Sequence, residues 1–321
     1  MKFDLDQQQR DFAASIDAAL GAADVPGAVR AWSQGDTAAG RRVWNQLADL
    51  GVTALAVPEQ CDGIGADMVD LTLAVEALGR WCVPGPVVES IAVAPVLLAE
   101  APDAGDRLAA LAGGELLATV ALAPHTPRAV DADRADLVLC AHDGSAAVAT
   151  PGTRHQSVDP SRGVFDVTPG EASWPADTVR AFDVGATATA AALVGAGQAM
   201  LDASVDYAKQ RTQFGRVIGG YQAIKHKLAD VHIALELARP LIYGAALALD
   251  DNSPDAARDV SAAKVAASDA ALLAARAALQ THGAIGYTSE CDLSLWLLRV
   301  QALRPAWGNP SAHRRRVLEA I

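Results

Sequence analysis

Helix-period apolar stripes separated by short breaks fill the first hundred residues. Leu5, Phe12, Ile16 and Leu20 recur at helical spacing from residue 4 to about 22, with Asp4 or Asp6 as the capping residue. A second amphipathic stretch runs from Arg41 to Leu50. Pro58, Gly63 and Gly65 then punctuate a loop before a helix resumes over Asp67 to Leu78. Residues 1–113 therefore read as an N-terminal helical domain. At Leu116 the period changes: LLATVALA, DLVLCA, AAVAT and GVFDV are short apolar or alternating runs, and Asp143-Gly144 between two of them predicts a hairpin turn. Residues 114–180 read as a small, reduced β domain.

Beyond it the helical period returns. A long alanine-rich helix is expected from Asp183 to Gln210, with Leu193, Met200 and Val205 among its larger apolar residues. Ile224, Leu228, Val231, Leu235 and Ile242 mark one face of the next helix, which opens at Gln222 and should kink at Pro240. A third spans roughly Ala256 to His282 and carries Val265, Leu272 and Leu279; a fourth covers Ser289 to Arg299. Four helices with short connections predict a four-helix bundle over residues 181–321, and hence a mainly α fold with a small β domain.

Composition sharpens this picture. The chain is 51% hydrophobic but only 5% aromatic, so alanine-rich helices should pack closely through small side chains. A net charge of −12 argues against a nucleic-acid or anionic-membrane partner. The basic run Arg314-Arg315-Arg316 is the exception, and it reads as a solvated face of a C-terminal helix. Cys61, Cys82, Cys140 and Cys291 lie far apart with no metal-ligand spacing, as expected of reduced cysteines in a cytoplasmic protein. The N-terminus has no apolar signal core, and the long alanine-rich runs read as broken by Lys, Asp, Glu or Arg. The expectation is a soluble chain with no targeting segment and no membrane span.

Two stretches carry candidate chemistry. YAKQRTQFGRVIGGYQ, from Tyr207 to Gln222, closes one helix, turns, and opens another. In it Arg211 offers a permanent cation with a planar fork of donors suited to a phosphate or pyrophosphate, Phe214 an apolar face, and Gly215 room for close approach. The second, Gln280 to Tyr287 (QTHGAIGY), lies at the end of another helix.

Together the order and helical setting of YAKQRTQFG, YQAIKHKLADV and QTHGAIGYTSE resemble the C-terminal domain of the acyl-CoA dehydrogenase family, whose members are FAD enzymes. The loop Val57-Pro58-Glu59-Gln60-Cys61-Asp62-Gly63-Ile64-Gly65 is similar to that family's N-terminal signature, with Asp62 replacing one glycine of the usual pair. The resemblance implies that Arg211 and Phe214 contact the FAD pyrophosphate and adenine region of a neighbouring subunit, with Gln213 in the adjacent hydrogen-bonding position. It likewise implies that Gln280, Gly283 and Gly286 hold the pyrophosphate, with Ala284 in place of a second glycine.

The departures from the family are as informative. The flavin-contacting segment reads Ala121-Leu122-Ala123-Pro124, which keeps the family's proline and loses its hydroxyl and carboxylate. Acyl-CoA dehydrogenation removes an α-proton to a carboxylate base while hydride leaves the β-carbon for the flavin. Counting onward from Arg299 puts Trp307 where the family's tyrosine belongs and Gly308 where its glutamate base belongs. Some members place the base near the start of the first bundle helix, a position occupied here by Gly185. Asp183 is two residues away, about 200° around a helix, and should point elsewhere. His282 and His313 are the remaining proton acceptors, both expected to be helix-end or core histidines.

The resemblance thus extends to base-less subunits of heteromeric acyl-CoA dehydrogenases of the actinobacterial steroid-degrading type. It implies an FAD-dependent oxidoreductase subunit, active on an acyl-CoA thioester only with a homologous catalytic subunit in an α2β2 assembly, and an electron-transfer flavoprotein or similar acceptor. A self-sufficient dehydrogenase with an unrecognised base and a flavin-free scaffold are the alternatives.

Overall fold

The computed structural model describes residues 5–321, so Asp4 lies outside the described residues. Asp6 caps the first helix: its carboxylate accepts from Gln9 N–H at 2.8 Å, and the Gln9 side chain reciprocates to the Asp6 backbone. The N-terminal helices are α1 (Gln7–Ala22), α2 (Val25–Ser33), α3 (Ala38–Asp49), α4 (Met68–Arg80), α5 (Ala94–Leu98) and α6 (Ala104–Ala112). A π-helical turn, Glu89–Val93, runs directly into α5. In the loop before α4, Asp62 adopts φ +60°, so this substitute for a glycine takes up the left-handed backbone that Asp tolerates better than most residues.

The β domain has five strands, β1 (Ala118–Leu122), β2 (Ala129–Val130), β3 (Leu137–His142), β4 (Ser145–His155) and β5 (Val164–Pro175), in the order β1-β3-β4-β5-β2. Strands β1 and β3 are parallel and the other pairs antiparallel. Asp143 and Gly144 have φ of +46° and +77°, the backbone that a two-residue hairpin between β3 and β4 requires. Leu137, Leu139 and Ala141 turn one face of β3 into the main core.

The long helix α7 (Thr178–Gln210) starts five residues before the expected point, because Asp177 caps it through Arg180 N–H at 2.9 Å. A short hairpin follows, β6 (Thr212–Gln213) and β7 (Arg216–Val217), then α8 (Gln222–Asp250) and α9 (Ala256–His282). Helix α10 (Leu293–Leu303) begins four residues later than the sequence reading has it, since Thr288 to Cys291 are held in turns. A further helix, α11 (Pro310–Glu319), packs on α9 and is capped by Asn309.

Helix α7 is central, packed against α4, α8 and α9. Contact with α9 runs through alanines: Ala263, Ala267, Ala271 and Ala274 are buried, whereas the larger Val265, Leu272 and Leu279 are only half-buried. Small side chains let helix axes approach closely, so the alanine face, not the bulky one, turns inward. Between α4 and α7 the approach is closer still: a methyl on Gly195 would lie 1.9 Å from the Glu76 carbonyl oxygen.

Helices α7 and α8 are each long and apolar enough to cross a membrane by length and composition, so their apolar runs are less interrupted than the sequence reading holds. The apolar window of α7 is 89% buried within the protein, and that of α8 only 39%. Ile233, Leu237 and Leu241 form an exposed stripe at four-residue spacing along α8.

Candidate functional site

The two stretches with candidate chemistry meet at one end of the bundle. Tyr207, in the last turn of α7, stacks on His282, in the last turn of α9, with ring centroids 4.4 Å apart. Lys227 of α8 donates to the Gln280 side-chain oxygen, so the ends of α7 and α9 and the beginning of α8 converge. Arg211 caps α7 through its backbone, and its exposed guanidinium makes no hydrogen bond or ion pair among the described residues.

Between β6 and β7 the turn is made by Phe214 and Gly215, at φ +53° and +82°. A bulky residue in the left-handed region is strained, and this one is also 93% exposed, so the fold gains nothing from its side chain. The Tyr221 hydroxyl donates to the Gln213 carbonyl at 3.2 Å, and the Arg216 guanidinium lies 3.9 Å from the centre of the Tyr221 ring, which stiffens the hairpin. Gly283 ends α9 at φ +68°, ψ −145° beside open space, and Ala284 is exposed, so the methyl that replaces a glycine points away from the core. Gly286 is buried, and a Cβ there would approach Leu293 to 3.1 Å. Arg211, Gln213, Phe214, Gln280, Gly283 and Ala284 thus offer a cation, amide groups, an aromatic face and bare backbone toward solvent at one place, a donor set suited to a pyrophosphate and its adenosine.

A second region lies around Gly185 and Gly308, the two positions that the sequence resemblance marks as candidates for a base. A Cβ on Gly185 would lie 2.5 Å from the Trp307 ring, and Gly308 follows Trp307 directly. The space beside Gly185 is filled by the fully buried Trp307 indole, and that beside Gly308 by the His313 ring. Trp307 Nε1–H donates to Glu89 Oε1 at 3.2 Å, while Glu89 Oε2 is buried without a hydrogen-bond partner among the described residues. Gly308, at φ +93°, has His313 Nε2 2.5 Å from where a Cβ would stand.

His313 is a core histidine. Its Nε2–H donates to the Trp307 carbonyl at 2.8 Å and its Nδ1 accepts from Ser261 Oγ at 3.1 Å, so neither nitrogen is free. Burial pushes its pKa down to about 4, and the imidazole is neutral. His282 is a helix-end histidine whose Nδ1–H donates to the Ala278 carbonyl at 2.9 Å. Lys264, wholly buried on α9, braces the Trp307 loop by donating to the carbonyls of Arg304 at 3.0 Å and Gly308 at 3.4 Å; burial lowers its pKa to about 7.

Beside this sealed spot is a cleft of about 530 Å³ bounded by Leu122 to His125, the first turns of α7, and α11. Phe182 sits in it between His125 and His313, at 4.4 and 5.7 Å. Asp183 points away from Gly185, as helical geometry requires, and is clamped by both terminal nitrogens of Arg316, one of them at 3.0 Å from Oδ2. This corrects the expectation of a solvated arginine run: Arg316 is half-buried in an ion pair, and Arg314 bonds Asp269 at 2.6 Å. The residues missed from sequence are Glu89, Lys264 and Arg316. A lone Glu in VVESIAVAPVLL and a lone Lys in an alanine-rich helix were the available signals.

A helical bundle, a small sheet and a helical N-terminal domain, with these two stretches at one bundle end, define the class. The acyl-CoA dehydrogenase N-terminal domain family matches residues 6–104 and the acyl-CoA dehydrogenase C-terminal domain family matches residues 176–321. The chain belongs to the acyl-CoA dehydrogenase family. It is 32% identical to acyl-CoA dehydrogenase IpdE2 of Mycobacterium tuberculosis over 298 residues, covering 91% of this chain and 90% of the relative. It is 34% identical over 306 residues to acyl-CoA dehydrogenase FadE34 of the same organism, covering 89% of this chain and 43% of that longer protein. A chain of the ChsE4-ChsE5 complex from M. tuberculosis superposes with a TM-score of 0.85 at 21% identity, covering 99% of this chain and 98% of the other.

Proposed function

We propose that this chain is the base-less subunit of a heteromeric, FAD-dependent acyl-CoA dehydrogenase, lending half of a flavin site to a homologous catalytic subunit. The observation that carries the reading is the Trp307 indole packed on Gly185, which fills the place where a base would face substrate. The exposed bundle end supplies the complementary half. Arg211 and Gln280 would hold the FAD pyrophosphate, with Gln213 alongside. Phe214 would cover the adenine region, and Gly283 and Ala284 would allow close backbone approach, whereas Gly286 is buried against Leu293 and His282 and serves the packing of the turn instead.

When bound, the flavin accepts the hydride that leaves the β-carbon of the thioester. The α-proton then goes to a carboxylate of the partner. An α2β2 assembly follows from two C-terminal bundles meeting about a two-fold axis, and the exposed stripe of Ile233, Leu237 and Leu241 on α8 gives such a contact apolar surface. Similarity to the ChsE4-ChsE5 complex supports a two-component enzyme, and similarity to a solved steroid acyl-CoA dehydrogenase supports a steroid-derived CoA ester as substrate. An electron-transfer flavoprotein or similar carrier would reoxidise the flavin. A flavin-free scaffold has no use for an exposed Phe214 in strained backbone, which disfavours that alternative.

The test is turnover of acyl-CoA thioesters by the purified chain alone and with its co-expressed catalytic homologue. The chain alone should be inactive and the pair active. Turnover by the chain alone at ordinary enzyme rates, roughly 1 to 10³ per second, would overturn the reading.

A further inference from the structure

The contact between Lys227 and Gln280 has no part in the family signature and joins two helices at the bundle end. Lys227 is half-buried in the second turn of α8; Gln280 is exposed in the last turn of α9. A lysine ammonium has three donors and no acceptor, so a bond to Gln280 can be made only through the amide oxygen. That fixes the amide plane: Oε1 turns to Lys227, and both N–H donors of Nε2 are left for another partner. An unrestrained glutamine presents oxygen and nitrogen about equally, and its oxygen repels a phosphate.

We propose that Lys227 is a positioning residue that locks the Gln280 amide with its two N–H donors toward the diphosphate of a dinucleotide. The proposal rests on the reading of this bundle end as a flavin half-site. The fit comes from the same structure: Gly283, three residues beyond Gln280, leaves open space beside positive-φ backbone, and Arg211, four residues beyond the Tyr207 ring that stacks on His282, has an exposed guanidinium with no partner among the described residues. Of the other basic groups at the same end, Lys209 is paired with Asp206, while Arg216 and Lys225 are exposed and add positive charge there on a chain whose net charge is −12.

A merely structural Lys–Gln bond between α8 and α9 makes a different prediction, and a double-mutant cycle separates the two. FAD dissociation constants are read by flavin fluorescence on the complex co-expressed with the catalytic homologue, and melting temperatures are taken in parallel. Lys227→Met should weaken FAD binding about tenfold, the scale of one charge-assisted hydrogen bond, with little change in melting temperature. Lys227→Arg should bind FAD nearly as the parent does. In a Gln280→Ala background, Lys227→Met should have less than about a twofold effect, because the amide it orients is gone. An unchanged dissociation constant in Lys227→Met, or an equal loss in both backgrounds, overturns the positioning role. Arg211→Ala is the control. If it weakens FAD binding while Lys227→Met does not, only the inference about Lys227 fails. If it changes nothing, the half-site reading fails and this inference with it.

Discussion

The Trp307 ring lies against Gly185, so close that a single methyl on Gly185 would sit 2.5 Å from it. The sequence resemblance gives Trp307 the tyrosine position and Gly185 one of the two base positions, and their contact leaves no room for a carboxylate there. On the proposed reading the loss of the base and the filling of the site are one packing event, held by Glu89, Lys264 and His313.

Reinstating a carboxylate should not restore a dehydrogenase. Gly185→Glu meets the buried indole, and Gly308→Glu combines φ +93° with His313 Nε2 at 2.5 Å. Each should destabilise the chain by about 1 to 3 kcal/mol, from overpacking and backbone strain. Denaturant midpoints together with acyl-CoA turnover check this; a stable, active Gly308→Glu chain would refute it.

Arg316→Ala should cost about 3 to 5 kcal/mol, because it leaves the buried Asp183 carboxylate without its cation. Arg315→Ala, next along the same helix, should stay within about 0.5 kcal/mol. Equal effects of the two on urea unfolding would show that the arginine run is a uniform solvated face.

Lys264 gives stability a pH dependence. Its folded pKa, lowered by burial to about 7, lies below the ordinary lysine value of about 10.4, so between these values the unfolded chain binds the extra proton and stability rises with pH. The slope from this residue approaches about 1.4 kcal/mol per pH unit at most. Urea midpoints of the parent should increase from pH 7 to 9, and Lys264→Met should flatten the rise. An identical slope in both proteins would contradict this.

Phe214→Gly should separate stability from function. Glycine relieves the left-handed strain, so the isolated chain should be no less stable and should gain up to about 1 kcal/mol. Flavin retention by the assembled complex should fall, as should that of Arg211→Ala and Gln280→Ala. Thermal melts and bound-flavin absorbance would show it; a complex that keeps its flavin fully in all three variants counts against the bundle-end site.

Much of this was legible in the sequence, where local chemistry decides. Asp143-Gly144 announced its hairpin, the stripe Leu228, Val231, Leu235 and Ile242 announced the buried face of α8, and the order of RTQFG and QTHGAIG announced the family. The buried face of α9 is not marked by its larger residues Val265, Leu272 and Leu279, because a helix packed against both α7 and α8 turns its alanines inward. The capture of Asp183 by Arg316 and the plugging of Gly185 by Trp307 join residues more than a hundred positions apart, and no local pattern records them.

The central claim is that this chain completes a flavin site in an unlike neighbour and holds none complete of its own. Native mass and flavin stoichiometry of the complex, co-expressed with its catalytic homologue, test it most directly. The account predicts an α2β2 heterotetramer carrying two FAD, one per unlike pair. Four FAD per tetramer, or a stable homotetramer of this chain that ignores the partner, would contradict it.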